Sequence, residues 1–169
     1  EEVLYIDGGT RLNGEAEVQG SKNAALPMIA ASLLAEKGET VLHRVPPVKD
    51  VLVALEVLRQ LGARVDFDPT VGSAVIDATD VDTTEMPSDL TGRLRASVLF
   101  VGPLLSRFHN VTIAEVGGCN IGARSTDYHY RGFARMGATV KAAGSGGYKV
   151  VASSLAGANM YLDLPSHTG

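Results

Sequence analysis

Apolar residues along this chain switch between a period near 3.6 and a period near 2, and the switches mark out its elements. Residues 3–6 and 14–18 carry short strand-like patterns, set off by Gly8, Gly9, Gly14 and Gly20. A helical pattern over 23–35 opens at Ser21-Lys22-Asn23 and is closed by Gly38. Residues 40–45 read as a strand. Pro46 and Pro47 then lead to Asp50, placed to cap a helix over 51–61 that Gly62 ends. Residues 63–67 and 74–76 read as two strands across a turn containing Pro69 and Gly72.

The same order then returns as a helix over 92–106, a strand over 111–114, a helix over 127–136, and strands near 139–142 and 148–151. Leu61-Gly62-Ala63-Arg64-Val65 aligns with Met136-Gly137-Ala138-Thr139-Val140 at an offset of 75, and Leu33-Leu34-Ala35 with Leu104-Leu105-Ser106 at an offset of 71. Solenoid repeats run to about 50 residues, so this longer period predicts duplicated α+β units packed into one domain. Helices lie inside and sheets outside, or the reverse. A third unit starts at 159–162, and the chain stops at Ser166-His167-Thr168-Gly169, where its helix is due.

Composition narrows the partners. With 45% hydrophobic and 20% charged residues the chain is globular in type, and its net charge of −4 argues against nucleic acid, which binds basic surfaces. Anionic ligands then need a few placed cations. A single cysteine forms no internal disulfide, which predicts a cytoplasmic setting. The apolar stretches around 24–35 and 96–105 contain Pro27 and Pro103 and fall short of the about 20 residues a membrane span takes. The chain opens on Glu1-Glu2 without an initiator Met, so the native start was trimmed or lies upstream.

Three segments join flexible backbone, a cation and a helix start: Gly20-Ser21-Lys22-Asn23, Leu94-Arg95-Ala96-Ser97, and 117–127, which holds Gly117, Gly118, Cys119, Asn120, Gly122 and Arg124. Backbone N–H groups at a helix start attract phosphate, and a neighbouring Lys or Arg adds charge-assisted bonds. No P-loop or dinucleotide fingerprint is present. Taken alone, Lys22 reads as a solvated lysine and Asn23 as a cap, while Arg95 reads equally as a snorkelling or ion-paired arginine. Cys119 reads as a small buried hydrophobe or, among its glycines, as an exposed thiol. Arg124 would lower its pKa and a bound anion would raise it, leaving both general-acid and nucleophilic roles open. His43, His109, His129 and His167 show no metal-site spacing, and the acidic run Asp77, Asp80, Asp82, Glu85 lacks a calcium-loop pattern, so no metal is expected.

These three segments, taken in order and at their spacing, resemble the signature stretches of the UDP-N-acetylglucosamine enolpyruvyl transferase family: 20–27 with Lys22-Asn23, 94–97, and 117–124 with Cys119 and Arg124. The shikimate-pathway relative has Lys-Ser where this chain has Lys22-Asn23. The resemblance covers essentially the whole chain. It implies an inside-out α+β fold of repeated βαβαββ units around buried parallel helices, here two repeats and the start of a third. It further implies that 1–20 are strands packing with a second domain and that 21–169 are an incomplete first domain.

Such enzymes move the enolpyruvyl group of phosphoenolpyruvate to the 3-hydroxyl of UDP-N-acetylglucosamine and consume no cofactor. Carried onto this chain, Lys22 and Arg124 hold phosphoenolpyruvate, Asn23 sits where the substrates meet, and Arg95 contacts the nucleotide. Cys119 matches the loop cysteine that protonates the enolpyruvyl carbon and is alkylated by fosfomycin. Arg124, Ser125, Thr126, Asp127 and Tyr128 line the uridine pocket, and Leu164, Pro165, Ser166 and His167 reach the diphosphate. Many members have Arg-Pro-Val-Asp-Leu where this chain has 124–128, and Ser-Val-Gly-Ala where it has 166–169. The family's base aspartate and its far-domain arginine fall beyond residue 169, so a C-terminal remainder is an expected partner and the chain alone is expected to lack turnover. Two alternatives stand beside this reading, a non-catalytic nucleotide-sugar-binding fragment and the shikimate-pathway relative.

Overall fold

The computed structural model describes residues 3–117, 126–144 and 146–163. Its first unit comprises helix α1 (Lys22–Ala31) with a 3-10 extension over Ser32–Leu34, strand β1 (Glu39–Leu42), helix α2 (Lys49–Gln60), and strands β2 (Arg64–Asp68) and β3 (Ser73–Asp77). After a short helix α3 (Ser88–Thr91), the second unit runs through a 3-10 helix over Arg95–Phe100, helix α4 (Val101–Phe108), strand β4 (Asn110–Ile113), helix α5 (Asp127–Arg135), and strands β5 (Thr139–Ala142) and β6 (Tyr148–Val151). Each unit folds its strands into a three-stranded antiparallel sheet with the last strand central, β1-β3-β2 and β4-β6-β5.

The duplication holds to the residue. β1 and β4 coincide at the offset of 71, and α2 and α5 both end at positions 75 apart. Gly38 and His109, 71 apart, make the same left-handed exit from the inner helical run at φ 83° and 64°. Gly62 and Gly137, 75 apart, make the same left-handed exit from the outer helix at φ 100° and 102°. There the next N–H reaches back to the helix, Ala63 to the Leu58 carbonyl at 3.0 Å and Ala138 to the Phe133 carbonyl at 2.9 Å. That bond closes the helix end and turns the chain into the following strand.

The choice of inside and outside falls to the helices. Ile29, Leu33, Leu55, Leu58, Leu61, Phe100, Leu104 and Leu105 are buried in one continuous cluster, while β1 and β2 keep one face to solvent. Arg107 ties the units together: its Nη1 donates to the Ala78 carbonyl at 2.8 Å and the Leu33 carbonyl at 3.1 Å, so one guanidinium closes both the inner helical run and the end of β3.

Four expectations are corrected. Residues 3–6 and 14–18 form no strand; everything from 3 to 19 is exposed, because a lone strand has no ladder partner here. Val48, not Asp50, takes the N-cap position of α2, and Asp50 lies in its first turn. The helix expected over 92–106 splits into 3-10 and α parts, since Pro103 cannot donate to the Leu99 carbonyl and disfavours an α-turn before it. Residues 159–162 begin no regular element. The first strand of the second βαβαββ unit is reduced to a single parallel bridge, Glu85 to Thr112, among the described residues.

Candidate functional site

Two helical runs set the site. α1 packs on the 3-10 helix Arg95–Phe100, and the 3-10 extension Ser32–Leu34 packs on α4. Start lies against start and end against end, so the runs are parallel and open at the same end. Lys22 and Asn23 occupy the first turn of α1, and Arg95 is the first residue of its neighbour. Two helix starts and two cations thus share one end of the molecule, which favours anions.

Ser21 caps α1, its Oγ accepting the Ala24 N–H at 3.3 Å. Lys22 Nζ donates to Asp50 Oδ2 at 2.8 Å, with the side chains 47% and 37% exposed. Sequence reading assigned Asp50 to a cap and so missed it as a neighbour of Lys22. Asn23 is exposed, and Pro27, four residues on, has no N–H to give its carbonyl. Arg95 is partly buried and makes no hydrogen bond or ion pair to a described residue.

One described end of the third segment meets Thr91 and Gly92, just before Arg95, and the other leads to His129 beside it. The Gly117 N–H donates to the Thr91 carbonyl at 3.1 Å, and a Cβ on Gly117 would lie 2.0 Å from the Gly92 oxygen, so only glycine passes there. On the other side Thr126 takes the N-cap position of α5, without a side-chain cap bond, and Asp127 and Tyr128 follow in its first turn. The next residue, His129, has its pKa held below the ordinary value by burial and then by the charge of Arg95. Tyr128 lies under Arg131, whose Cζ is 5.5 Å from the ring centroid, and Arg131 pairs with Asp163. His129 was not legible as a neighbour of Arg95, nor Gly92 as a neighbour of Gly117, because local sequence does not reveal what approaches from another element.

The structure therefore places Lys22, Asn23 and Arg95 at the same end of two packed helical runs, and it places Thr126, Asp127 and Tyr128 on the element whose first turn adjoins Arg95. Cys119, Arg124, Ser125, Leu164, Pro165, Ser166 and His167 lie outside the described residues. Among the described residues no three of His, Cys, Asp and Glu are grouped to hold a metal ion. No described helix is long and apolar enough to cross a membrane.

Comparison with known proteins places this geometry. The profile of the family described as EPSP synthase (3-phosphoshikimate 1-carboxyvinyltransferase) matches residues 6–169. A UDP-N-acetylglucosamine 1-carboxyvinyltransferase of Thermobifida fusca is 48% identical across the whole chain, and one of Desulfatibacillum aliphaticivorans is 45% identical over 98% of it. This chain spans 40% and 39% of their lengths. In fold it is similar to the enolpyruvyl transferase NikO from Streptomyces tendae, with a TM-score of 0.73 at 24% identity over 88% of this chain and 32% of that one. An EPSP synthase from Acinetobacter baumannii follows at 0.65 and 18%, over 91% of this chain and 35% of that one. The chain belongs to the enolpyruvyl transferase family that the EPSP synthase profile defines.

Proposed function

We propose that this chain is the N-terminal portion of a transferase that moves the enolpyruvyl group of phosphoenolpyruvate to the 3-hydroxyl of UDP-N-acetylglucosamine and releases phosphate. The observation that carries the reading is the pair of parallel helical runs opening Lys22, Asn23 and Arg95 at one end. In this reading Lys22 and Arg124 neutralise phosphoenolpyruvate, and Asn23 sits between the substrates. Arg95 faces the nucleotide, residues 124–128 hold the uridine, and Leu164, Pro165, Ser166 and His167 reach the diphosphate. Cys119 delivers the proton to the enolpyruvyl methylene carbon as the sugar oxygen adds to its neighbour. Loss of phosphate and of a proton from the resulting tetrahedral adduct then restores the double bond.

The reaction commits the nucleotide sugar to peptidoglycan synthesis in the cytoplasm, and with it cell shape and division, and it makes Cys119 the point of attack for fosfomycin. The base for the sugar hydroxyl and the arginine closing over phosphoenolpyruvate come from a C-terminal remainder. Residues 1–20 take up strand pairing only against that remainder, and 21–169 form an incomplete first domain. Catalysis needs groups from both faces of the cleft, so the chain alone is inactive.

The test is phosphate release from the two substrates, with this chain alone and with its remainder added. Fosfomycin-sensitive release that needs both parts, and that falls at least about 100-fold in Lys22→Ala, is the expected result. Because this chain spans only part of its relatives, a nucleotide-sugar-binding fragment is the second reading. Binding of UDP-N-acetylglucosamine without any phosphate release in either form would put it first.

A further inference from the structure

The entry to α1 is wedged into the turn that follows β1. Arg44 holds a left-handed φ of 58°, a conformation that costs a side-chain-bearing residue energy and persists only where its surroundings enforce it. Those surroundings are close. A Cβ on Gly20 would lie 1.5 Å from the Arg44 oxygen and 3.3 Å from the Pro46 ring, so the backbone at 20 presses directly on the strained peptide. From the other side, the Val45 N–H donates to the Gly72 carbonyl at 2.8 Å, and a Cβ on Gly72 would come within 2.9 Å of the Val45 oxygen. The Arg44 side chain turns back across the junction, its Nη2 donating to the Val18 carbonyl at 2.7 Å and lying 3.6 Å from Glu17.

Gly20 is followed at once by the cap Ser21 and then by Lys22 and Asn23, while residues 45–48 lead from Arg44 into the first turn of α2, where Asp50 meets Lys22. One turn thus fixes both partners of the Lys22–Asp50 pair. An open depression of about 400 Å3, lined in part by Gly20, Ser21, His43 and Arg44, lies beside it.

We propose that Gly20 and Arg44 are positioning residues for the anion-binding end of α1, holding Lys22 and Asn23 in register with Arg95. The proposal rests on the reading of Lys22 as a phosphoenolpyruvate ligand. Gly20→Ala forces the entry of α1 away from Arg44 and displaces Lys22. Arg44→Gly keeps the left-handed turn at no steric cost and removes only the guanidinium, with its bond to Val18 and its exposed pairing with Glu17.

The experiment uses this chain assembled with its C-terminal remainder and compares unmodified protein, Lys22→Ala, Gly20→Ala and Arg44→Gly. The expected result is a rise in KM for phosphoenolpyruvate of about tenfold or more in Gly20→Ala and of about two- to fivefold in Arg44→Gly, with KM for UDP-N-acetylglucosamine within about twofold in both. If Gly20→Ala does not fold, Arg44→Gly decides alone. Unchanged KM for phosphoenolpyruvate in the folded variants, while Lys22→Ala still raises it, overturns the positioning role and leaves the functional reading standing. Equal loss on both substrates, or loss of kcat alone, also overturns it. An unmodified assembly without phosphate release removes the functional reading itself, and the proposal with it.

Discussion

Two residues that sequence reading passed over, Asp50 and His129, come into view through their neighbours. The Lys22–Asp50 pair is exposed on both sides, and such pairs contribute little because water screens them and two long side chains must be ordered. Asp50→Ala should change unfolding free energy in urea by no more than about 1 kcal/mol; a larger loss would mean the pair supports the fold and not just the position of Lys22. His129 keeps much of its surface exposed, yet burial, and Arg95 second, hold its pKa below the ordinary 6.5. The unfolded chain then binds this proton more readily than the folded one. Stability falls as pH drops below about 6.5 and levels off below the folded pKa. His129→Gln should accordingly lose less of its melting temperature between about pH 7 and about pH 5 than the unmodified chain. Parallel pH profiles would rule this out.

At the scale of elements, the two units carry the same helix exit in different surroundings. Gly62 and Gly137 share a left-handed φ, but a Cβ on Gly62 would sit 2.9 Å from the Asp80 oxygen whereas one on Gly137 would meet nothing nearer than the Ser154 oxygen at 3.6 Å. Gly137→Ala should cost only the backbone term, about 1–2 kcal/mol. Gly62→Ala should cost more, because backbone there must also move. Denaturant midpoints of the two variants measure the difference, and equal midpoints would show that the contact at Gly62 relaxes freely. The boundaries of α2 and β2 to β6 were legible within about two residues, because each alternates one buried and one exposed side with a glycine or turn at its end. The 3-10 stretch before α4 was not, although Pro103 was in plain view, because the apolar pattern continues unbroken across it.

For the whole molecule, the exposed apolar residues gather where the described chain lacks a partner. Tyr5 and Leu12 are 90% and 93% exposed, and Met160 and Tyr161 stand open at the other end. Patches of this kind drive association. Removing residues 1–16, which precede the Val18 carbonyl held by Arg44, should leave the denaturant midpoint unchanged and reduce concentration-dependent light scattering. A lowered midpoint would show that the segment packs on the described core. The sequence by itself determined α2, α5 and β2 to β6, the duplication with its offsets of 71 and 75, the resemblance carried by Lys22-Asn23, Arg95, Cys119 and Arg124, and the family. Those depend on local periodicity and residue type, which are written in order along the chain. Only the tertiary structure decided that helices lie inside and sheets outside, that Lys22 and Arg95 open at one end, that Asp50 and His129 adjoin them, and that Gly20 and Arg44 are locked together. Each of these is a contact between residues far apart in sequence, set by how apolar faces are buried within and between the two units, and no local pattern encodes it.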